Sequence, residues 1–296
     1  MTTRAKLGFL QSDNKSKVGI LNEQFQSVFT KENINNFPIK GKSPYSTMED
    51  IKINSKGVHK LLKNLKPHKA TGPDSIPSCI LKAVALDQLA PILTELYQTS
   101  LNTGVVPQDW KDAHVVPLFK KDERHLASNY TMIPVSLTSM TCKVMEHIVH
   151  SSVMGHFDRN KILTNAQHGF RKKRSCESQL IVTIHDIASK LERDSQVDII
   201  LLDFAKAFDK VPHHRLLHKL EYYGVNPKTN RSIRSFLENR MQSVILEETV
   251  SKQVSVLWCT PSYSSWTSTV PGIHQRHARD SNFIRDQIVC RRQPSL

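Results

Sequence analysis

The chain has 296 residues, of which 39% are hydrophobic and 23% are charged, a composition typical of a globular protein large enough to bury a core. Lysine and arginine outnumber aspartate and glutamate by 41 to 27, so the formal net charge is +14 at pH 7. A distributed positive charge of this size attracts polyanions, and nucleic acid is the expected partner. The alternative is a basic protein that binds none.

The cysteines are scattered, with no CxxC pair and no short Cys/His spacing: Cys79, Cys142, Cys176, Cys259 and Cys290. This pattern argues against a zinc site and against a disulfide framework, and it predicts a reducing compartment and no disulfide-linked partner. No signal peptide and no apolar run of ~18 residues is found, so we expect an intracellular protein, nuclear or cytoplasmic, without membrane contact.

The first 55 residues are polar and read as a lead-in helix followed by a linker. Apolar residues at Leu21, Phe25 and Phe29 give segment 21–32 a helical spacing, and residues 37–47 have the composition of a linker.

The next segments predict helices separated by a turn-rich basic loop. Residues 54–66 read as a helix that begins at Asn54 or Ser55 and ends at Pro67. The loop 68–77 follows, with a turn signal at Gly72-Pro73-Asp74, and its residues alone are compatible with a plain helix–helix connection. Residues 78–104 then predict one or two amphipathic helices closed by Gly104.

Residues 105–124 predict a loop, a short strand at 114–119 and a basic hairpin. The hairpin residues Lys120, Lys121 and Arg124 either contact nucleic-acid phosphates or form a solvated turn. A long amphipathic helix follows at 136–160. Its core-facing residues are predicted to be Leu137, Met140, Val144, Ile148 and Val149.

A basic cluster then precedes a predicted helix that begins near Cys176. The cluster consists of Arg171, Lys172, Lys173 and Arg174. Guanidinium groups, ammonium groups and free backbone N–H groups at a helix start can all face one phosphate. The alternative is an exposed charged face.

The most informative segment is an apolar run from Val197 that stops at Asp203. The run reads as a buried strand. A carboxylate at its end either helps to hold a divalent cation or caps the next helical turn. A helix at 213–225 closed by Gly224, and then a helix and a strand within 226–246, are predicted to follow.

Five segments in order carry a family resemblance: LKPHKATGPDSIPSCILK (65–82), VVPQDWKDAHVVPLFKK (105–121), ILTNAQHGFRKKRSCESQL (162–180), LLDFAKAFDKVPHHRLLHKL (201–220) and SFLENRMQSVIL (235–246). They resemble blocks of the reverse transcriptases of non-LTR, LINE-type retrotransposons, in particular the jockey-like group. The resemblance covers roughly residues 17–256. It implies an RNA template, a DNA primer, deoxynucleoside triphosphates and Mg²⁺.

The resemblance also implies roles for single residues. Asp203 would bind both magnesium ions of a two-metal nucleotidyl transfer. The backbone at Phe204 and Ala205 would face the triphosphate, and Phe208 would be the steric gate against a ribose 2′-OH. Arg171 and Arg174 would border the incoming nucleotide and the template, and Arg240, in an Arg-x-Gln pattern, would serve packing and the template backbone.

The chain also departs from the family pattern. Residues 129–137 replace an Asn-Tyr-Arg-Pro block, and the arginine directed at nucleic acid is missing, which puts the fingers hairpin in doubt. After Glu247 and Glu248 the only acids are Asp280 and Asp286, so the Ala-Asp-Asp hairpin that completes the metal site is absent.

A one-nucleotide frameshift near residues 250–257 accounts for this loss. Ser-Gly-Val-Pro encoded as TCT GGT GTA CCC and read one nucleotide earlier gives Leu-Trp-Cys-Thr, which is the sequence at 257–260. The segments 273–278 and 288–292 match Tyr-Ile-Asn-Asp-Met-Pro and Leu-Phe-Ala-Asp-Asp shifted in the same way. On this hypothesis Arg291 and Arg292 replace the catalytic aspartate pair.

We therefore expect an α/β (α+β) fold, an incomplete right-hand polymerase with fingers and a partial palm, helix-rich and with a disordered tail. The predicted divisions are residues 1–55, the reverse transcriptase domain at 56–256, and the out-of-frame tail at 257–296. The strand before Asp203 would then have an exposed edge. The alternatives are a non-catalytic basic remnant that binds nucleic acid and a pseudogene translation that does not fold stably.

Overall fold

The computed structural model describes residues 3–4, 10–11, 13–27, 41–84, 88–120, 122–131, 136–193, 196–200, 211–256 and 288–289. The α-helices in these ranges are α1 (Asn14–Gln26), α2 (Ser55–Lys63), α3 (Ser78–Ala83), α4 (Ala90–Thr103), α5 (Met140–Arg159), α6 (Cys176–Leu191), α7 (His213–Tyr222) and α8 (Pro227–Leu237).

The strands are short. They are β1 (Thr3–Arg4), β2 (Leu10–Gln11), β3 (Asp112–Val115), β4 (Leu118–Phe119), β5 (Tyr130–Thr131), β6 (Ser136–Leu137), β7 (Asp198–Ile199), β8 (Arg240–Leu246), β9 (Thr249–Val250), β10 (Val254–Val256) and β11 (Ile288–Val289).

The largest sheet has the order β10-β8-β3-β6, with β9 also paired to β8. Strand β3 runs parallel to β8, with Asp112 opposite Met241, and the other pairs in this sheet are antiparallel. The parallel pair requires a long crossover between its strands, and that crossover contains α5, α6, α7 and α8. The predicted α/β (α+β), helix-rich fold class is therefore confirmed.

Two hydrophobic cores lie in the described residues. The larger one joins α2, α4, α5, α7 and α8 around side chains such as Leu62, Tyr97, Phe157 and Leu220, all of them almost fully buried. The smaller one lies where α1 covers the sheet, and it contains Val18, Leu21 and Phe25 together with strand residues such as Val115 and Val244.

Local capping chemistry explains where several helices begin and end. The Asn54 side chain accepts a hydrogen bond from the Gly57 N–H (2.7 Å) and starts α2, as predicted. The Asn226 side chain does the same for α8 with the Thr229 N–H (2.8 Å). Gly104 closes α4 with a left-handed backbone (φ 73°), and Gly224 follows α7 with φ 82°.

Three predicted boundaries change. Helix α1 begins at Asn14, seven residues before the predicted start, because Asp13 caps it through the Ser16 N–H (2.8 Å). The long helix α5 begins at Met140, since Leu137 belongs to β6 and Ser139 is the cap. The strand predicted at 114–119 is two strands, β3 and β4.

Within the described ranges, no helix combines the length and the apolar character needed to cross a membrane.

Candidate nucleic-acid interface

The strand that leads toward Asp203 is present, but the prediction that it is buried is wrong for the described residues, since both residues of β7 are exposed and Ile199 is 53% exposed. Strand β7 is antiparallel to β11, with Ile288 opposite Ile199 and Val289 opposite Asp198. The predicted exposed edge of this strand is therefore corrected for Asp198 and Ile199, because β11 forms the backbone hydrogen bonds along that edge.

The predicted catalytic residues lie outside the described ranges. Asp203, Phe204, Ala205 and Phe208 all fall in segment 201–210. The hairpin residue Lys121 also lies outside, as does the predicted out-of-frame tail apart from β11. Their assigned roles remain predictions.

The basic cluster before α6 divides into two kinds of residue. Arg171 donates to the Thr164 carbonyl (2.9 Å) and pairs with Asp158 (3.2 Å), while Arg174 donates to the carbonyl and the side-chain oxygen of Asn165. Both guanidinium groups thus hold the loop before α6 in place. Lys172 and Lys173 are exposed, so they are the members of the cluster most open to a phosphate.

The first turn of α6 is occupied by its own capping box. Ser175 Oγ accepts from the Ser178 N–H (3.2 Å), and Ser178 Oγ accepts from the Ser175 N–H (2.9 Å). The His168 Nδ1 also lies 2.7 Å from Ser178 Oγ. The capping box thus uses the Ser178 N–H, one of the first-turn N–H groups that were expected to face an anion.

The basic hairpin forms although the arginine of the family block is missing. Strand β4 pairs with β5, with Phe119 opposite Tyr130, and the Lys120 N–H donates to the Asn129 carbonyl (3.0 Å). Lys120 and Arg124 are exposed, and the Arg124 guanidinium lies 5.2 Å from the centre of the Phe119 ring. The hairpin thus presents both charges to solvent.

Arg240 lies inside the molecule. Its side chain is completely buried, Nη1 donates to the Phe236 carbonyl (3.3 Å), and the guanidinium lies 4.4 Å from the centre of the Phe236 ring. Of the two roles predicted for Arg240, these contacts agree with packing, whereas the contact with the template backbone is corrected, because a fully buried guanidinium has no surface to offer to a phosphate.

The buried surroundings of Arg240 were not found from the sequence. Glu146 and Cys142 are both buried, with Cys142 Sγ 3.4 Å from Glu146 Oε1. Burial, and then the nearby Glu146, raise the pKa of the Cys142 thiol well above its usual range. The spacing of these residues on α5, four apart, was the only sequence signal that they meet.

The described residues contain no group of three His, Cys, Asp or Glu side chains placed to hold a metal ion. The candidate surface in this part of the chain is therefore a set of exposed cations rather than a cluster of carboxylates. Such a surface can attract and position a polyanion, and it holds no ligands for a divalent cation.

Comparison with known proteins assigns this arrangement to a class. Residues 118–261 match the family described as reverse transcriptase (RNA-dependent DNA polymerase). This match covers just under half of the chain, so segment 118–261 resembles a reverse transcriptase domain. The relatives below place this resemblance with the LINE-type, jockey-like polymerases, to which the chain is similar.

The relatives are Drosophila melanogaster proteins, each 26% identical to the chain. The RNA-directed DNA polymerase from mobile element jockey aligns over 195 residues, 66% of this chain and 20% of the relative. Probable RNA-directed DNA polymerases from transposon BS and from transposon X-element align over 60% and 67% of this chain, and over 19% and 21% of their own lengths. The chain thus spans about a fifth of the length of these curated relatives.

Proposed function

We propose that the chain is the fingers and partial palm of a retrotransposon RNA-directed DNA polymerase. Its substrates are an RNA template, a DNA primer and deoxynucleoside triphosphates, and its place is inside the cell, in the nucleus or the cytoplasm. The supporting observation is the ordered run of family segments from residue 65 to residue 246, together with the family match at 118–261.

The residues of this copy do not fit the two magnesium ions that the family implies. Asp203 is a single carboxylate, and the later acids Asp280 and Asp286 are not adjacent. On the frameshift hypothesis, Arg291 and Arg292 stand where two carboxylates should be, and cations repel Mg²⁺. We therefore propose that this copy binds template and primer without extending the primer.

A primer-extension assay tests this proposal. We expect no incorporation above background for the wild-type chain with Mg²⁺, and salt-sensitive binding of the template–primer. The matched control is a chain expressed from a gene in which the shifted nucleotide is restored, and this chain should extend the primer. Incorporation by the wild-type chain that disappears in Asp203→Asn would contradict the proposed inactivity.

The nucleotide sequence that encodes residues 245–296 provides a second test. We expect the neighbouring reading frame to spell Ser-Gly-Val-Pro and then Ala-Asp-Asp at the positions of 257–260 and 288–292. If the neighbouring frame does not encode an acidic pair there, the frameshift hypothesis is wrong. The missing acidic pair would then need another explanation.

In a second candidate function, the chain is a basic remnant of a polymerase that binds nucleic acid and catalyses no reaction. The net charge of +14 and the exposed lysines of the basic hairpin and cluster favour it. Binding of nucleic acid by both the wild-type and the frame-restored chains, with incorporation by neither, supports this candidate. A chain that shows no cooperative melting transition would instead be a translation product without a stable fold.

A further inference from the structure

Helix α2 carries a row of lysines on the face that points away from the core. Lys56, Lys60 and Lys63 are all exposed. Their spacing of four and then three residues places them on one side of the helix, over a rise of about 10 Å at 1.5 Å per residue. Exposed lysines also lie just before and after the helix, at Lys52 and Lys66.

The surroundings of this row leave its charge uncompensated. Residues 51–73 contain no aspartate or glutamate. The nearest acids on either side have other partners. Asp50 forms an ion pair with Lys228, and the Asp74 side chain accepts a hydrogen bond from the Ile76 N–H (3.3 Å). Among the described residues, no ion pair involves Lys56, Lys60 or Lys63.

The opposite face of α2 fixes the row rigidly. Val58 and Leu62 are fully buried in the larger core, and the Asn54 cap holds the first turn. A fixed row of ammonium groups can therefore meet a regular line of phosphates without first ordering its own backbone.

The burial of Val58 and Leu62 also indicates which kind of polyanion the lysine row can bind. A helix that binds a lipid surface inserts its apolar face between the headgroups. In α2 this face is already committed to the protein core, so only the charged face is available. Over about 10 Å a nucleic-acid duplex presents about six phosphates at one per 1.7 Å of axis, enough for every lysine of the row to find one.

We propose that Lys56, Lys60 and Lys63 form a binding site for the phosphate backbone of a nucleic-acid duplex, separate from the basic hairpin and from the cluster before α6. This site rests on the proposed function, because it names a further contact surface for template and primer. It supplies affinity and position without reading sequence.

The test measures binding of a short labelled RNA–DNA hybrid at salt concentrations from ~50 to ~200 mM. The variant K56Q/K60Q/K63Q should bind at least about tenfold more weakly, and its slope of log affinity against log salt should be smaller by about two to three, at about 0.9 per lost phosphate contact. The control K15Q/K42Q/K252Q removes the same charge from three exposed lysines on separate segments, and its slope should change by less than about one.

The outcomes separate this inference from the function it rests on. Failure of the wild-type chain to bind the hybrid would overturn the proposed function and this site together. Binding by the wild-type chain with equal slopes for both triple variants would overturn only this site. An equal loss of binding to anionic lipid vesicles and no loss on the hybrid would also overturn it. Unchanged urea midpoints for both variants establish that folding is intact.

Discussion

Two glycines show how differently the same residue type acts in this protein. Gly224 has φ 82°, and a Cβ built on it would lie 2.3 Å from the Ser46 carbonyl oxygen and 3.1 Å from His156 Nε2. Gly19 lies inside α1, and a Cβ there would meet nothing within 4 Å. Gly224 is therefore required by its backbone and by its neighbours, whereas Gly19 is not.

We expect Gly224→Ala to lower the free energy of unfolding by more than about 2 kcal/mol, because the left-handed conformation alone costs an L-residue about 1–2 kcal/mol and the contact with backbone adds to it. Gly19→Ala should raise stability by about 0.5–1 kcal/mol, through the helix propensity of alanine. Urea unfolding with the slope held constant measures both changes. Equal effects of the two substitutions would contradict the assigned backbone geometry.

At the same scale, the arginines illustrate the limit of reasoning from residue type. Arg171 and Arg174 form hydrogen bonds to nearby carbonyls, and Arg240 packs on an aromatic ring inside the protein. The family resemblance implied that Arg171 and Arg174 border the incoming nucleotide and the template, and that Arg240 serves packing and the template backbone. The guanidinium has five donors, and the acceptors here lie 4 to 13 residues away, on segments that the fold brings back toward each arginine.

At the scale of elements, α1 is joined to the sheet by a buried polar contact. Asn22 is almost fully buried, its Nδ2 donates to Ser251 Oγ (3.0 Å) and to the Lys252 carbonyl (2.9 Å), and its Oδ1 accepts from Gln242 Nε2 (2.9 Å). Val18, Leu21 and Phe25 pack beside it. The lead-in helix therefore covers the same sheet that contains the Arg-x-Gln segment.

We expect Asn22→Ala to lower the free energy of unfolding by about 1–3 kcal/mol, because it leaves the buried Gln242 amide without its acceptor. Asn102→Ala is the matched control, since Asn102 is exposed and accepts from Gln98 Nε2 (3.2 Å). This control should change stability by less than about 0.5 kcal/mol. Thermal or urea unfolding that finds both variants alike would show that α1 is not held by this contact.

Helix α6 differs from the other long helices because none of its described residues is buried. Leu180 is 59% exposed, Ile184 is 55% exposed and Leu191 is 56% exposed. Their spacing of four and seven residues forms one apolar stripe on the helix. The amphipathic pattern therefore predicted the helix correctly, while its apolar side does not contribute to either core in the described ranges.

At the scale of the whole molecule, two partly buried histidines couple folding to pH. Burial, and then the nearby Arg240, lower the pKa of His213 to about 4, and burial beside His147 lowers the pKa of His150 to about 4. The unfolded chain binds these protons near pH 6.5. Their contribution to stability is thus complete above about pH 6.5 and is lost as the pH falls toward 4.

The variant H150Q/H213Q should therefore show a smaller difference between its urea midpoints at pH 7 and pH 5 than the wild-type chain. The control H185Q changes a histidine at an exposed position of α6 and should keep the pH dependence of the wild-type chain. A double variant with the full pH dependence of the wild type would mean that other groups account for it.

The sequence by itself was enough to find the family resemblance and to predict most of the helices. Asn54, Ser175 and Asn226 begin helices, and Gly104 and Gly224 end them, because capping involves residues only a few positions apart. The order of the five family segments along the chain can also be found without knowing any tertiary contact. These features are local, so they can be predicted from the sequence alone.

Only the tertiary structure decided which charges face solvent and which elements share a core. The parallel pairing of β3 with β8 joins residues more than a hundred positions apart, α1 reaches the sheet through Asn22 and Gln242, and Arg240 is enclosed while the lysines of α2 are not. A side chain is buried by the helices and strands that pack against it. These elements are often distant in sequence, so the residues next to the side chain do not reveal whether it is buried.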